Sequence, residues 1–189
     1  MSTPNETVIV NREASDALRL HAEATCEVRA APSAIFEYID RPERLSAHMA
    51  RRSWQLAGAA MVIETDAAGG RAVGSHIRLA GRMLGIPLYV EGKVVQREPP
   101  SLKAWETVGE PHLLVIGRYR MTVSIDARGD RAHVMIAIDY ALPANTPTRW
   151  LGMLFGPLYA RWCVRQMAQD LVHQFAAYES SVGSNRSRQ

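Results

Sequence analysis

One long helical pattern follows six consecutive strand patterns in this chain, and that order limits the folds open to it. From Trp54 to Leu142, apolar residues alternate with polar ones in short runs that end at Gly or Pro. Connections this short join neighbouring antiparallel strands. From about Thr148 to Tyr178 the apolar spacing becomes three or four residues, which is typical of a helix. A sheet with one apolar face must be covered, and only this helix is long enough to cover it.

A seventh strand and two short helices precede this series. Apolar and polar residues alternate strictly from Leu20 to Ala30, and Pro32 ends the alternation. A short helical stripe follows, and Asp40 is then expected to cap a second short helix with Pro42 in its first turn. The predicted fold class is α+β, a curved seven-stranded antiparallel sheet wrapped around a long C-terminal helix, with two short helices between strands 1 and 2.

The chain length of 189 residues suits one domain. Residues 1–18 are polar and aperiodic and are predicted to be a tail, residues 19–180 to form a single ligand-binding domain, and residues 181–189 to be a second tail. The N-terminal segment carries Glu6 and Glu13 and lacks the apolar core of a signal peptide. Since no run of 18 apolar residues occurs either, we expect a cytoplasmic protein whose membrane contacts, if it makes any, are peripheral.

Composition and motifs argue against several classes of function. The net charge is +3 and the arginines are scattered, so nucleic acid is not an expected partner. Cys26 and Cys163 lie in no C-x-x-C or zinc spacing, so we expect two buried thiols and no metal site. The chain has no P-loop, no G-x-G-x-x-G and neither a G-x-S-x-G nor an H-E-x-x-H sequence. We therefore expect no cofactor.

The strand alternation predicts an apolar interior. On each strand, the face with the apolar majority is taken to point inward. Gly81, Gly92 and Gly117 fall on this face, where they mark bends of the sheet and also leave space. A strongly bent sheet with a single covering helix leaves room for a cavity. The residues predicted to bind a ligand there are Ile77, Leu79, Met83, Val90, Glu106, Tyr119, Met121, Ile136, Tyr140, Phe155 and Tyr159.

The strand at residues 102–108 admits two orientations. If its apolar majority decides, Glu106 points inward, where a buried carboxylate needs a donor such as Tyr119 or Tyr140. If a bulge reverses the parity, Trp105 is the core residue and Glu106 lies outside. The sequence leaves both orientations open.

Three segments carry a resemblance to a known superfamily. Residues 28–39 read VRAAPSAIFEYI, residues 40–44 read DRPER, and residues 98–102 read EPPSL. Together with the aromatic C-terminal helix, they resemble the START-like, or SRPBCC, superfamily. Within it they resemble the polyketide cyclase/dehydrase and lipid-transport branch, which also holds coenzyme Q-binding proteins. The resemblance covers residues 20–180 and implies a helix-grip fold with a deep cavity between the sheet and the C-terminal helix. It implies no universal catalytic residue.

Two functions fit these patterns. The first is the binding or transport of a small hydrophobic molecule, such as a lipid, a quinone or a polyketide-like compound, in the internal cavity. The alternative is a cyclase or dehydrase-type enzyme acting on a polyketide-like substrate, with Glu106 and either Tyr119 or Tyr140 as the acid/base pair. The missing catalytic motifs favour a binding protein over an enzyme.

Residues 149–162 carry more apolar side chains than one helix can bury against a sheet, and arginines flank them. One interpretation is that they cap the sheet as ordinary core or form a homodimer interface. The other is an entrance lid, hinged at Gly156-Pro157, that touches a membrane surface transiently, because aromatic residues beside arginines suit the interfacial layer.

Overall fold

The computed structural model describes residues 18, 20–45, 62–83, 86–144 and 146–186. Within them the chain forms one sheet with the strand order β1-β7-β6-β5-β4-β3-β2, and every neighbouring pair is antiparallel. The elements in chain order are β1 (Leu20–Val28), α1 (Pro32–Ile39), α2 (Pro42–Leu45), β2 (Val62–Thr65), β3 (His76–Met83), β4 (Ile86–Glu98), β5 (Leu102–Thr107), β6 (Tyr119–Arg128), β7 (Arg131–Tyr140) and α3 (Thr146–Arg186). The predicted α+β architecture is confirmed.

The hydrophobic core lies where α3 packs on β1 and β7. Side chains from the inner face of these strands and from one side of α3 are buried together, and α1 closes the end of the same cluster. Nearly every large side chain of this cluster is apolar, so removal of its surface from water is the main stabilising contribution here. The central members are Ala22, Val28, Ile35, Phe36, Ile39, Val134, Ile136, Ile138, Ala160, Val164 and Leu171.

Glycines allow α3 to approach the chain that it covers. A Cβ at Gly156 would lie 2.9 Å from the carbonyl oxygen of Val115, and one at Gly152 would lie at the same distance from that oxygen and 2.6 Å from Pro143. Ala160, one turn further along, is fully buried. This stripe of small residues brings the helix backbone almost into contact with the segment around Val115.

The helix differs from its prediction in two respects. It runs unbroken through Pro157, so Gly156-Pro157, which was expected to be the hinge of an entrance lid, does not split it. It also continues to Arg186, so residues 181–186 are helical where a tail was predicted. Polar residues can extend a helix in this way because, once the helix is nucleated, each added residue forms one further backbone hydrogen bond. The predicted tail at residues 1–17 and residues 54–61, at the start of the predicted strand series, lie outside the described residues.

The alternating pattern predicts a strand from Leu113 to Asp126, but residues 113–118 lie outside the sheet and β6 begins only at Tyr119. Gly117 donates its backbone N–H to the carbonyl of Ala141 at 2.8 Å, and a Cβ there would lie 2.6 Å from the carbonyl oxygen of Leu142. Gly117 therefore marks the position where two backbone segments approach closely, and it is not a bend within a strand.

Candidate functional site

Most of the side chains predicted to point inward lie on the face toward α3. Ile77 pairs with Gly92 and Leu79 with Val90 across β3 and β4. On the other half of the sheet, the cross-strand pairs Tyr119–Tyr140, Met121–Ile138 and Val123–Ile136 contribute to the core under α3. The alternation placed these side chains on the correct face, and their role in binding stays a prediction. The side chain of Met83 lies outside the described residues.

Glu106 is an outward-facing residue. In the β5–β6 register, Trp105 is opposite Met121 and packs against the core, whereas Glu106 is opposite Arg120 and lies 4.0 Å from its guanidinium. The interpretation that placed Glu106 in the cavity, as a binding or an acid/base residue, is therefore wrong. The apolar majority on β5 indicated the wrong face because the apolar Ala104 lies on the outer face, whereas Lys103 lies on the inner face with Asp40 as its partner.

A nearly sealed ionic network lies on the inner side of β4 and β5. The Lys103 ammonium, 2 % exposed, donates to Asp40 Oδ1 at 2.8 Å, to the Asp40 carbonyl at 3.2 Å and to the Gly70 carbonyl at 3.0 Å. Arg97 donates to both carboxylate oxygens of Asp40, at 3.2 and 2.9 Å. A β-bulge between Val94 and Gln96 shifts the register of β4 and turns Arg97 inward.

Asp40 was expected to cap the second short helix, but its carboxylate serves this network instead. Burial alone would raise the pKa of Asp40, yet hydrogen bonds from Arg97 and Lys103 outweigh it and hold this pKa below its usual value. Burial lowers the pKa of Lys103, and the hydrogen bond to Asp40 opposes that effect. All three donor positions of the ammonium are used, so Lys103 fastens the α1–α2 corner to the sheet and has no donor left for a ligand.

An apolar pocket of about 350 Å³ lies at the other end of the sheet, between the start of α3, the segment before β6 and the start of β4. Phe155 and Tyr159 were among the predicted ligand-binding residues. The remaining wall was missed, since residues 113–116 were taken for a strand. The lining residues are Leu88, Leu113, Leu114, Val115, Ile116, Phe155, Leu158, Tyr159 and Trp162.

The other predicted ligand-binding residues do not line this pocket. Tyr140 and Met121 belong to the packed core. Ile77 and Val90 are buried, and Leu79 is half-buried. The predicted site is thus divided between a solid core under the middle of α3 and a pocket beside its first turns.

The pocket wall contains one phenol, that of Tyr159, which is one turn from Cys163 on α3. Tyr119, at the start of β6, is not among the lining residues. Burial raises the pKa of the Tyr119 and Tyr159 hydroxyls, and it raises the pKa of Cys163 to about 11. All three groups are therefore neutral at physiological pH.

The sequence family described as polyketide cyclase/dehydrase and lipid transport matches residues 19–178. The chain belongs to this family. No curated protein matches the chain significantly. Family membership confirms the predicted START-like relationship, and family and fold together point to a domain that binds a hydrophobic ligand.

Solved structures support the helix-grip fold of this family member. Norcoclaurine synthase from Thalictrum flavum, in complex with dopamine and hydroxybenzaldehyde, matches with a TM-score of 0.54 and 18% identity over 92% of this chain and 94% of that one. A protein from Thermus thermophilus, TTHA0849, matches with a TM-score of 0.55 and 14% identity over 84% and 99%. Ara h 8.0201 matches with a TM-score of 0.52 and 13% identity over 86% and 98%. At these identities the likeness shows the fold.

The family member also exposes apolar side chains on the outer face of the first turns of α3. Trp150, Leu154 and Leu158 follow one another at four-residue spacing and are 72%, 66% and 62% exposed. Leu151, Met153 and Phe155 are exposed beside them. These exposed side chains do not belong to the hydrophobic core, so the structure contradicts the interpretation of residues 149–162 as ordinary core. Among the described residues, no helix is long and apolar enough to span a membrane.

Proposed function

We propose that this protein binds a small hydrophobic molecule in the pocket between α3, residues 113–116 and β4, and carries it rather than transforming it. The observation that supports the proposal is a pocket of about 350 Å³ whose lining is apolar except for one phenol and one indole N–H. Apolar walls with a few polar groups are typical of small-molecule sites. Family membership adds support, because lipid transport is part of the family's description.

The alternative of a cyclase or dehydrase loses the acid/base pair on which it depended. Glu106 lies on the outer face beside Arg120, and Tyr119 and Tyr140 lie on the inner one. A phenol whose pKa is raised by burial is a poor base near neutral pH. We therefore retain binding as the proposed function.

The test is to fill the pocket. Leu88→Trp places a large side chain in the pocket wall, and we expect it to weaken binding of the neutral fluorescent probe N-phenyl-1-naphthylamine by at least about 10-fold. Val172→Trp, at an exposed position further along α3, is the matched control and is expected to bind as the wild type does. Equal binding by the wild type and Leu88→Trp, with both folded by circular dichroism, would contradict the pocket as the site.

We also propose that the outer face of the first turns of α3 contacts an anionic lipid surface when the ligand enters or leaves. Phe155 and Leu158 belong both to this exposed face and to the pocket wall, so the face is continuous with the pocket. A hydrophobic molecule that passes from a bilayer to the pocket along this face stays out of water.

Charge favours a lipid surface over a second copy of the chain. Arg149, Arg161 and Arg165 are exposed around the apolar face, and no acidic side chain of the described residues pairs with them. Two copies of this face would bring like charges together, whereas anionic headgroups would neutralise them.

Co-sedimentation with vesicles tests this contact. We expect the wild type to bind phosphatidylserine/phosphatidylcholine vesicles at low salt, and less so at high salt because the arginine contribution is screened. Trp150→Ser with Leu154→Ser should reduce the bound fraction several-fold, and Val172→Ser should not. If the wild type stays in the supernatant at low salt, the lipid contact is wrong. A dimer in sedimentation velocity that the double variant disrupts would then assign the face to a second copy.

A further inference from the structure

We infer that the tip of the β3–β4 hairpin contacts the same anionic lipid surface as the first turns of α3. The hairpin tip is defined here by Arg82, Ile86 and Pro87. The inference rests on the proposed lipid contact and adds a second element to it, so that the protein touches the bilayer on two sides of the pocket. Three observations carry it: the exposure of the hairpin tip, its continuity with the pocket wall, and its charge.

The apolar inner face of β4 continues beyond the pocket into solvent. Ile86, Leu88 and Val90 alternate along this strand and therefore share one face. Val90 is 4% exposed, Leu88 is half-buried in the pocket wall, and Ile86 is 46% exposed. Pro87, beside Ile86, is exposed as well. An apolar face that runs out of a pocket into water fits contact with an apolar partner, unlike a single apolar residue scattered on the surface.

The hairpin tip and the exposed face of α3 lie on two sides of the segment that completes the pocket wall. On one side, Tyr89 and His112 exchange backbone hydrogen bonds of 3.1 and 2.8 Å, which fix the start of β4 to this segment. On the other side, the carbonyl oxygen of Val115 is 2.9 Å from where a Cβ of Gly156 would lie. Two exposed apolar elements therefore flank the pocket, the hairpin tip next to Leu88 and the first turns of α3.

The charge of the hairpin tip favours an anionic partner. Residues 80–90 contain one charged residue, Arg82, and neither Asp nor Glu. Arg82 is exposed and opposite Pro87 in the β3–β4 register, and no acidic side chain of the described residues pairs with it. Exposed apolar side chains beside such an arginine suit the interfacial layer of an anionic membrane. Two copies of the hairpin tip would instead bring two arginines together.

Co-sedimentation of hairpin-tip variants with vesicles tests the inference. We expect Ile86→Ser to lower the affinity for phosphatidylserine/phosphatidylcholine vesicles by about 3- to 10-fold, because serine gives up the apolar contact with lipid. Ile86→Trp should raise this affinity, since tryptophan favours the interfacial layer. Arg82→Gln should lower it at low salt and leave binding to vesicles of phosphatidylcholine alone unchanged.

Val73 provides the matched control at the opposite end of β3. It is 63% exposed in the turn before this strand, so Val73→Ser and Val73→Trp should bind vesicles as the wild type does. A second control separates lipid contact from ligand binding. Ile86 does not line the pocket, so Ile86→Ser should bind N-phenyl-1-naphthylamine within about 2-fold of the wild type when vesicles are absent.

The outcomes distinguish this inference from the proposed function. If the wild type binds no vesicles, the proposed lipid contact is itself wrong, and the inference with it. If Trp150→Ser with Leu154→Ser reduces binding and Ile86→Ser does not, the α3 contact stands and the hairpin-tip contact is overturned. Equal effects at Val73 and Ile86 would show nonspecific adhesion, and a loss of probe binding in Ile86→Ser would assign this residue to the pocket. Either result overturns the inference, as does a dimer in sedimentation velocity that Ile86→Ser disrupts.

Discussion

Asp40 and Lys103 are 63 residues apart in sequence and form an ion pair of 2.8 Å that is almost closed to solvent. The pair joins the corner between α1 and α2 to the start of β5. Gly70, from the turn between β2 and β3, gives its carbonyl to the same ammonium. Three parts of the chain that are distant in sequence are thus fixed to one nitrogen atom.

Loss of the carboxylate should be costly. Asp40→Asn leaves the Lys103 ammonium buried without a counter-charge, and we expect the free energy of unfolding to fall by about 3–5 kcal/mol. Lys103→Met removes the buried charge, so the double variant should be more stable than Asp40→Asn alone by at least about 1 kcal/mol. Urea denaturation of the wild type, of the single variants Asp40→Asn and Lys103→Met, and of the double variant gives the coupling energy. Purely additive losses would show that the pair is not coupled.

The same pair makes stability depend on acid pH. The pKa of Asp40 is lowered in the folded protein, so its contribution is fully present above the unfolded-state pKa of about 3.9. It is lost as the pH falls through the lowered folded-state pKa. The stability difference between the wild type and Asp40→Asn should therefore shrink below about pH 4. A difference that stays constant between pH 6 and pH 3 would contradict the ionic origin.

Gly156→Ala should destabilise the protein although alanine is the better helix former. Helix propensity alone favours alanine by about 1 kcal/mol. Here the new Cβ would lie 2.9 Å from the Val115 carbonyl oxygen, a backbone atom that cannot turn away, so we expect a net loss of about 1–3 kcal/mol. Gln169→Ala, at an exposed position of the same helix, is the control and should change stability by less than about 0.5 kcal/mol. Stabilisation by Gly156→Ala would show that α3 is not held close to this segment.

His21 should titrate above its ordinary range. Its Nδ1 lies 2.7 Å from Asp139 Oδ1 across β1 and β7, and this hydrogen bond raises the pKa of the imidazole. Asp139→Asn should bring that pKa back toward about 6.5, as followed by NMR. Glu23→Gln, whose carboxylate is more distant at 3.4 Å, should have a smaller effect. Since both groups are exposed, the stabilisation is below about 1 kcal/mol, is present below pH 6.5 and is lost as the pH rises through the folded-state pKa.

The architecture could be predicted from sequence because one face of each strand lies toward solvent, which leaves an alternation of apolar and polar residues along the strand. Met121, Val123 and Ile136 are inward in the structure as their alternation indicates. The rule failed on β5, where Lys103 and Trp105 share the inner face and the apolar Ala104 lies outside. A lysine is normally an outward signal, and only its distant partner Asp40 makes it an inward residue. Nothing local in the sequence reports such a partner.

The candidate site was less accessible to sequence reasoning than the fold. Phe155 and Tyr159 were found because the helical stripe is strongly apolar. Val115 and its neighbours were assigned to a strand. A short apolar run has the same sequence pattern whether it forms a strand or an extended loop that packs under a helix. The signal that could have separated the two is the run of small residues Gly152, Gly156 and Ala160, which indicates that another segment passes close to α3.

The pocket lies beside the first turns of α3, and it shares Leu113, Ile116 and Tyr159 with the hydrophobic core. Leu88, Leu114, Phe155, Leu158 and Trp162 line the pocket and do not belong to the core cluster. Substitutions at these positions are therefore separated from the contacts that hold the domain together, and mutations at sites without shared neighbours act almost independently. Over evolution, a chain built this way can exchange one ligand for another while its folding equilibrium stays nearly constant, which makes the scaffold adaptable and its binding preference easy to redirect.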